Sequence, residues 1–536
     1  MSHIGKPPCD DAAVLHGAPP RPCACAAAQQ RWTLVAAILG SGIAFVDGTL
    51  VNVALPALQK AFDAGAAQTQ WVIEAYSLML ASLLLVGGAL GDRFGRRRIF
   101  VIGIALFVAA SLGCALAPSM NALIAARAVQ GVGAALLVPG SLALVSATFA
   151  QGERGRAIGI WSAWSGVTAA LGPLVGGFLI DHYSWRWAFA VNLPVGALLL
   201  AICLTRVPES RGSDERAPVD VGGAVLATLA LAAIVFALIE APQAEGATRW
   251  GGALVIGAVA LAAFLAVERR SRAPMLPLAL FAQRLFGGAN LLTLLLYAAL
   301  GGGLYFLPLE LIQVQGYGAT AAGAALLPFI AIMFLLSRWA GTLVDRFGPR
   351  GPLVVGPLIA GAGFALFAVP VFGGSYWTGV LPAVCVLGLG MAVTVAPLTT
   401  TVMNAVGADR AGVASGVNNA VARAAGLLAI AAFGIVMASA FDARLDAELQ
   451  RLNVPAETAA QLVGQRAKLA AITLPEGLPP AQAERLHQAV GDAFGAGFRR
   501  VMLLCTALCV LAALSAATLI GGASGRLAAA SAASGD

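Results

Sequence analysis

Asp47 stands inside an apolar run, Phe45-Val-Asp-Gly-Thr-Leu-Val-Asn-Val-Ala-Leu-Pro56, that with its flanks is long enough to cross a bilayer. An ionisable side chain at that depth is costly to bury and by default points to function. A carboxylate in such surroundings can take up and release a proton, and it can also attract a cation. Proton/cation exchange requires both capacities in one group, with the site holding either the proton or the substrate. The plainer reading is a hydrogen-bond anchor for a helix break near Gly48.

Arg127, in Arg127-Ala-Val-Gln-Gly-Val-Gly133, lies near the start of the fourth apolar run. A permanent cation there can help a nearby acid release its proton, or it can simply form a static buried pair. Arg338 and Arg423 are further intramembrane cations, in the second half of the chain. Glu74 and Glu310 lie near the ends of their runs. Glu74 falls in the first turn of its expected helix, where the dipole favours an acid. Glu310 is shallow enough to meet water, so a structural role suits both acids.

Gly88-Ala-Leu-Gly-Asp-Arg-Phe-Gly-Arg-Arg-Arg98 is nearly repeated as Gly341-Thr-Leu-Val-Asp-Arg-Phe-Gly-Pro-Arg350. Each copy sits between two apolar runs, the mark of a duplicated helical membrane protein. Gly88 permits close helix approach, Gly95 permits a sharp turn, and Asp92 can pair with a nearby arginine. Asp92 with Arg93 and Arg96 is therefore expected to latch an inner gate. Positive-inside anchoring explains the arginines, but not the repeated Gly and Asp. The copies are unequal, Arg96-Arg-Arg98 against Pro349-Arg350, so the first is expected to carry the gate and the second mainly the fold.

The fifth run carries Gly172-Pro173-Leu-Val-Gly176-Gly177. Proline removes a backbone hydrogen bond and bends the helix, while the small residues allow tight packing. A compliant helix beside a central cavity suits a transporter that rocks.

These residues need elements to hold them, and the composition says which. Hydrophobic residues make up 59% of the 536 residues and charged residues 11%, with mean hydropathy +0.85. Soluble domains carry about 25% charge, so this is a membrane protein. The net charge of +7 reflects basic loops rather than a nucleic-acid surface. The eight cysteines have neither zinc spacing nor a disulfide framework, and the four histidines all fall outside the apolar runs. No metal, cofactor or catalytic constellation is expected, hence no enzyme. No phosphate-binding GxxxxGK[ST] loop occurs, which excludes P-loop ATP hydrolysis; pumping must draw on an ion gradient or a partner.

Fourteen runs reach spanning length: residues 32–57, 71–91, 99–117, 122–147, 157–180, 187–205, 219–240, 251–267, 286–312, 320–343, 352–373, 377–402, 412–438 and 497–521. An even number puts both termini on one side. With the N-terminus inside, the inner tails and loops hold 20 Lys and Arg and the short outer loops 3, so the N-terminus is expected in the cytoplasm. The expected fold is all-α and polytopic. It has a disordered tail (1–31), a six-helix bundle (32–205), linkers with an inserted helix pair (206–285), a second six-helix bundle (286–521) and a cytoplasmic tail (522–536). Residues 439–496, with charges at helical spacing, read as a short external helical hairpin.

Gly88–Arg98 resembles the loop 2–3 motif of the major facilitator superfamily, and Gly341–Arg350 its degenerate second copy. Arg127–Gly133 resembles the span-4 motif whose arginine is implicated in proton transfer, and Gly172–Gly177 the span-5 motif associated with antiporters. Asp47–Pro56, Trp185-Arg-Trp-Ala-Phe-Ala-Val-Asn-Leu-Pro194 and Gly412-Val-Ala-Ser-Gly-Val-Asn-Asn419 look like the fourteen-span drug:proton antiporter family of the EmrB/QacA type. Over about residues 32–520 the resemblance implies the major facilitator fold and export of hydrophobic or amphipathic molecules against inward protons. Asp47 would then be the proton/substrate switch, modulated by Arg127. Some members that export divalent cations resemble this chain except for acids in spans 10 and 13; here those spans hold Arg338 and Arg423 and no acid, which favours monocationic, neutral or anionic substrates.

The expected partners are a small-molecule substrate, protons and the lipid bilayer, with room for a periplasmic adaptor protein; no nucleic acid is expected. The expected location is the bacterial cytoplasmic (inner) membrane. Facilitator folds host import and export alike, so a dedicated transporter of one metabolite, antibiotic or lipid is the competing reading. A membrane sensor or scaffold working through 439–496 is a weaker one, since it has no need of Asp47.

Overall fold

The computed structural model describes residues 24–520, apart from residues 150, 212–219, 242–246, 272–273, 275, 370–374, 407–410 and 476. Among the described residues, fourteen helices are long and apolar enough to cross a membrane. In the first half these are α1 (Ala27–Phe62), α2 (Ala66–Phe94), α3 (Arg96–Ala115), α4 (Met120–Thr148), α5 (Arg156–His182) and α6 (Trp187–Arg206). Then follow α7 (Val221–Glu240) and α8 (Trp250–Arg270). The second half comprises α9 (Arg284–Val314), α10 (Ala319–Leu336), α11 (Arg350–Phe367), α12 (Tyr376–Asn404), α13 (Val413–Arg451) and α14 (Pro480–Leu519). About 20 residues at roughly 1.5 Å rise cover a hydrocarbon core near 30 Å.

Residues 24–31, expected to belong to the tail, instead continue the first helix, which starts at Ala24. Their alanines are strong helix formers, so the polar character of the segment does not end the helix. The remaining expected tails, residues 1–23 and 522–536, lie outside the described residues.

α1 packs on α4 and α5, α2 on α4, and α3 on α4 and α6; in the second bundle α9 packs on α13 and α14, and α11 on α12 and α14. Small residues set the spacing. A Cβ on Gly131 of α4 would stand 2.4 Å from the Tyr76 carbonyl of α2, so these helices meet backbone to backbone. The bundles face each other along two long seams, α5 against α10 and α2 against α13. The inserted pair packs on itself, and α7 lies against both α2 and α13. Val235 and Ile239 of α7 close a buried cluster there with Leu78 and Leu427.

The repeated turns end α2 and its counterpart in the same way. Gly95 has φ +109° and Gly348 φ +68°, left-handed backbone that glycine adopts without strain. These turns mark one end of the molecule, here called the basic end. At the opposite, cap end, α13 and α14 overrun the spanning length at 39 and 40 residues. A short helix, Ala456–Val463, and a 3-10 turn, Arg466–Ala471, join them. Much of 439–496 is thus the continuation of two membrane helices rather than a separate hairpin. Leu445, Leu449, Leu462 and Leu486 tie it into the main apolar core.

Candidate functional site

Asp47 lies at the centre of a buried polar network drawn from five helices of the first bundle. Its Oδ2 accepts from an Arg127 guanidinium nitrogen, and the two side chains are 0% and 1% exposed. Its Oδ1 accepts from Gln130 Nε2 and from Asn192 Nδ2, each at 2.9 Å. Gln130 also donates to Ser111 Oγ at 2.8 Å and accepts from Arg127 at 2.6 Å. Arg127 Nε donates to the Val72 carbonyl of α2 at 3.0 Å. Its guanidinium lies over the Tyr76 ring, 4.2 Å from the centroid, and Tyr76 donates its hydroxyl hydrogen to the Ala44 carbonyl at 2.9 Å. A buried ion pair is sustained when its other donors and lone pairs are matched, and here Arg127 Nε, one terminal nitrogen and both Asp47 oxygens have partners. The network ties α1, α2, α3, α4 and α6 to a single carboxylate.

Asp47 does not face the space between the bundles; its neighbour Gly48 does. A cavity of about 250 Å³ lies there, lined on one side by Gly48, Asn52 and Ser77 and on the other by Tyr297, Tyr305 and Arg423. The second bundle has a neutral cluster near this level, where Asn418 Nδ2 donates to Thr293 Oγ1 at 2.7 Å and to Asn290 Oδ1 at 3.2 Å. The charged network is therefore confined to one bundle.

A duplicated bundle of fourteen helices, with a central cavity and a buried carboxylate–arginine pair, invites comparison with known transporters. The sequence profile of the Major Facilitator Superfamily matches residues 37–430. The chain belongs to the major facilitator superfamily. Similar members include the multidrug resistance protein Stp of Mycobacterium tuberculosis, 38% identical over 79% of this chain and 78% of that protein. The tetracenomycin C resistance and export protein of Streptomyces glaucescens is 34% identical over 90% of each chain. Among solved structures, a bacterial homologue of the human lysosomal transporter Spinster, in an inward-facing conformation, has TM-score 0.62. It covers 92% of this chain and 98% of its own at 19% identity, a likeness of fold alone.

In this major facilitator protein the loop 2–3 motif is organised by a residue outside the motif. Glu209, in the linker after α6, accepts from the backbone nitrogens of Arg97 and Arg98 at 2.9 and 3.1 Å. It thereby caps the first turn of α3, where an anion suits the helix dipole. Arg97 donates to the Val207 carbonyl at 3.1 Å. Asp92 pairs with Arg96 at 2.8 Å, one helical turn away. Arg93 lies over the neighbouring Phe94 ring. Among the described residues, the hydrogen bonds between the two bundles all lie at the cap end and none at this turn. Gly88 faces Pro139 of α4 at ordinary contact distance. The side chain of Asp345, in the second copy, lies outside the described residues.

The glycines of α5 serve two faces. Cβ atoms on Gly172 and Gly176 would strike Thr49 and Leu50 of α1, while one on Gly177 would strike the Ala319 carbonyl of α10. Pro173 lies beside Gly323 on the same α10 face. At the cap-end tip of this seam, Asp181 accepts from the backbone nitrogens of Ala319 at 3.0 Å and Thr320 at 2.7 Å, and from the Thr320 hydroxyl at 2.6 Å. Asp63 and Lys468 close the same end at 2.6 Å.

The remaining charges are scattered. Glu74 is 0% exposed, and neither carboxylate oxygen has a hydrogen-bond partner among the described residues. It lies two turns into α2, beyond the reach of the dipole expected to hold it, because Gln68, Thr69 and Gln70 extend the helix ahead of the apolar run. Glu310 is partly buried in a π-helical turn, Glu310–Val314, and lines a cavity of about 1010 Å³ at the cap end of the second bundle. Arg423 lines the central cavity, and the side chain of Arg338 lies outside the described residues.

Four residues that matter here went unmarked in the sequence: Gln130, Asn192, Glu209 and Asp181. Two stand inside motif-like stretches, but an uncharged amide signals nothing until its partner is known. Glu209 had one usable signal, since the Arg-Arg-Arg start of α3 offers no capping side chain of its own.

Proposed function

We propose that this chain is a proton-coupled secondary transporter of the fourteen-span drug:proton antiporter branch, exporting hydrophobic or amphipathic small molecules. It would work in the cytoplasmic membrane with both termini inside and the cap end outside. The observation that carries the reading is the sealed Asp47–Arg127 pair next to a cavity shared by both bundles. The names of its relatives, a multidrug resistance protein and a tetracenomycin C resistance and export protein, support efflux.

The geometry favours indirect coupling. Protonating Asp47 removes the countercharge of Arg127 and loosens the contacts that hold α1 to α4 and α6. α1 carries Thr49 and Leu50, which fit against Gly172 and Gly176 of α5, and α5 in turn meets α10 across the seam. A proton on Asp47 thus acts on the seam between bundles through packed helices, while substrate occupies the cavity beside Gly48. Among the described residues the bundles are hydrogen-bonded to each other at the cap end alone, which suits a state open toward the cytoplasm. The loop 2–3 turn would engage the second bundle in the opposite state.

The test uses everted membrane vesicles with a pH-sensitive dye. Candidate compounds are expected to dissipate an imposed proton gradient, and Asp47→Asn to abolish the response. A persistent response in Asp47→Asn, or none with any compound, removes this mechanism. A dedicated exporter of one compound is the second reading, favoured by the single antibiotic in the name of the Streptomyces relative; one strongly preferred ligand in competition assays would support it.

A further inference from the structure

The central cavity carries one charge, and it is positive. Among its described lining residues only Arg423 is ionic at neutral pH. Two acids adjoin lining residues in sequence without themselves lining the cavity. Asp47 is turned into the first bundle and matched by Arg127, Gln130 and Asn192, and Glu74, next to Ile73, is wholly buried with no hydrogen-bond partner among the described residues. Arg423 has no hydrogen-bond or ion-pair partner among the described residues, and its Nε is fully buried. Its guanidinium rests 5.8 Å from the centroid of the Phe45 ring.

A guanidinium in a low-dielectric space without a countercharge is costly to maintain. It carries five donors in a planar fork that matches the oxygens of a carboxylate or sulfonate. Leu300, Leu304, Leu427 and Ile430 give the cavity an apolar wall, and Tyr297 and Tyr305 add aromatic surface. Polar contact with a ligand's body is left to the neutral Asn52 and Ser77.

We propose that Arg423 is the head-group site of this cavity and that the preferred substrates are amphipathic organic anions, an acidic group on a flat apolar body. The proposal rests on the transport reading for its physiological meaning, but the binding site stands apart from it. Under that reading, each cycle would move one anion out and one proton in, so two charges cross in the same electrical sense. A neutral substrate would move one charge and a monocation none. Each charge is worth about 2.3 kcal/mol per 100 mV, so an inside-negative potential strongly favours expelling anions. No acid in the cavity is then needed to hold the substrate.

The experiment is equilibrium binding to the purified full chain in lipid nanodiscs, using 1-anilinonaphthalene-8-sulfonate and its uncharged analogue N-phenyl-1-naphthylamine. The sulfonate is expected to bind at least about tenfold more tightly. Arg423→Gln should erase that difference while leaving the uncharged probe within about twofold, and Arg423→Lys should keep part of it. Equal affinity of the two probes for the unaltered protein overturns the proposal, whether or not any variant folds. So does an equal loss for both probes in Arg423→Gln, which would mark a structural arginine. Binding requires no proton movement. Selective sulfonate binding without dissipation of a proton gradient would therefore sink the antiport reading and leave the anion site intact.

Discussion

Asn192 donates to Asp47 at 2.9 Å across 145 residues of sequence, joining the sixth helix to the first through the one acid of the network. A hydrogen bond to a charged group contributes about 1.5–3 kcal/mol. Asn192→Ala should therefore lower proton-coupled transport about 10- to 100-fold while leaving probe binding in the cavity nearly unchanged. Parallel transport and binding measurements on one preparation check this, and an equal loss in both would contradict it.

The Asp47–Arg127 pair should behave as a unit. Removing one partner strands a buried charge, at a cost of about 3–5 kcal/mol. Arg127→Gln alone should lower the unfolding temperature clearly. Asp47→Asn combined with Arg127→Gln should recover most of that loss, yet show no coupling in the vesicle assay. A double variant no more stable than Arg127→Gln would argue against the pair.

How much of this was legible beforehand depends on the kind of signal. Asp47 and Arg127 announce themselves because a charge in an apolar run is conspicuous, and the fourteen runs show plainly because hydropathy is a local property. Their pairing does not show: 80 residues separate them, and only the packing of α1 on α4 brings them together. Gln130 and Asn192 are chemically quiet residues whose role exists only in that packing. The orientation of Arg423 toward the cavity and of Asp47 away from it is likewise invisible, since it depends on helix rotation. Residues 439–496 suggest a short external hairpin in sequence because charges end an apolar run without ending a helix.

The loop 2–3 turn gives a paired test. Gly95→Ala would place a methyl group 2.9 Å from the Glu209 carboxylate carbon, on backbone that disfavours a side chain. It should lower folded yield in the membrane, measured by size-exclusion fluorescence, and Glu209→Gly should relieve the steric part. Separately, Asp92→Ala should impair transport more than Asp345→Ala; equal losses would end the assignment of the gate to the first copy.

Asp181 holds the start of α10 with three hydrogen bonds from across the seam. Asp181→Ala should weaken the cap-end closure by about 1–3 kcal/mol, shifting the balance of conformations about 5- to 100-fold toward separation at that end. Spin labels on the cap-end tips of α5 and α10 should then report a new, longer distance. An unchanged distance distribution would show that the Asp63–Lys468 pair and the helix packing hold this end without it.

The two seams between the bundles are not equivalent from the viewpoint of a molecule already dissolved in the bilayer. α7 lies along the α2–α13 seam and walls it with apolar side chains, whereas the α5–α10 seam has no such cover among the described residues. A greasy compound diffusing sideways in a leaflet therefore meets a helix pair on one flank and the bare edge of the α5–α10 contact on the other. The inserted pair thus gives a pseudo-symmetric carrier two unlike flanks, one walled by α7 and the other closed only by the contact of α5 on α10.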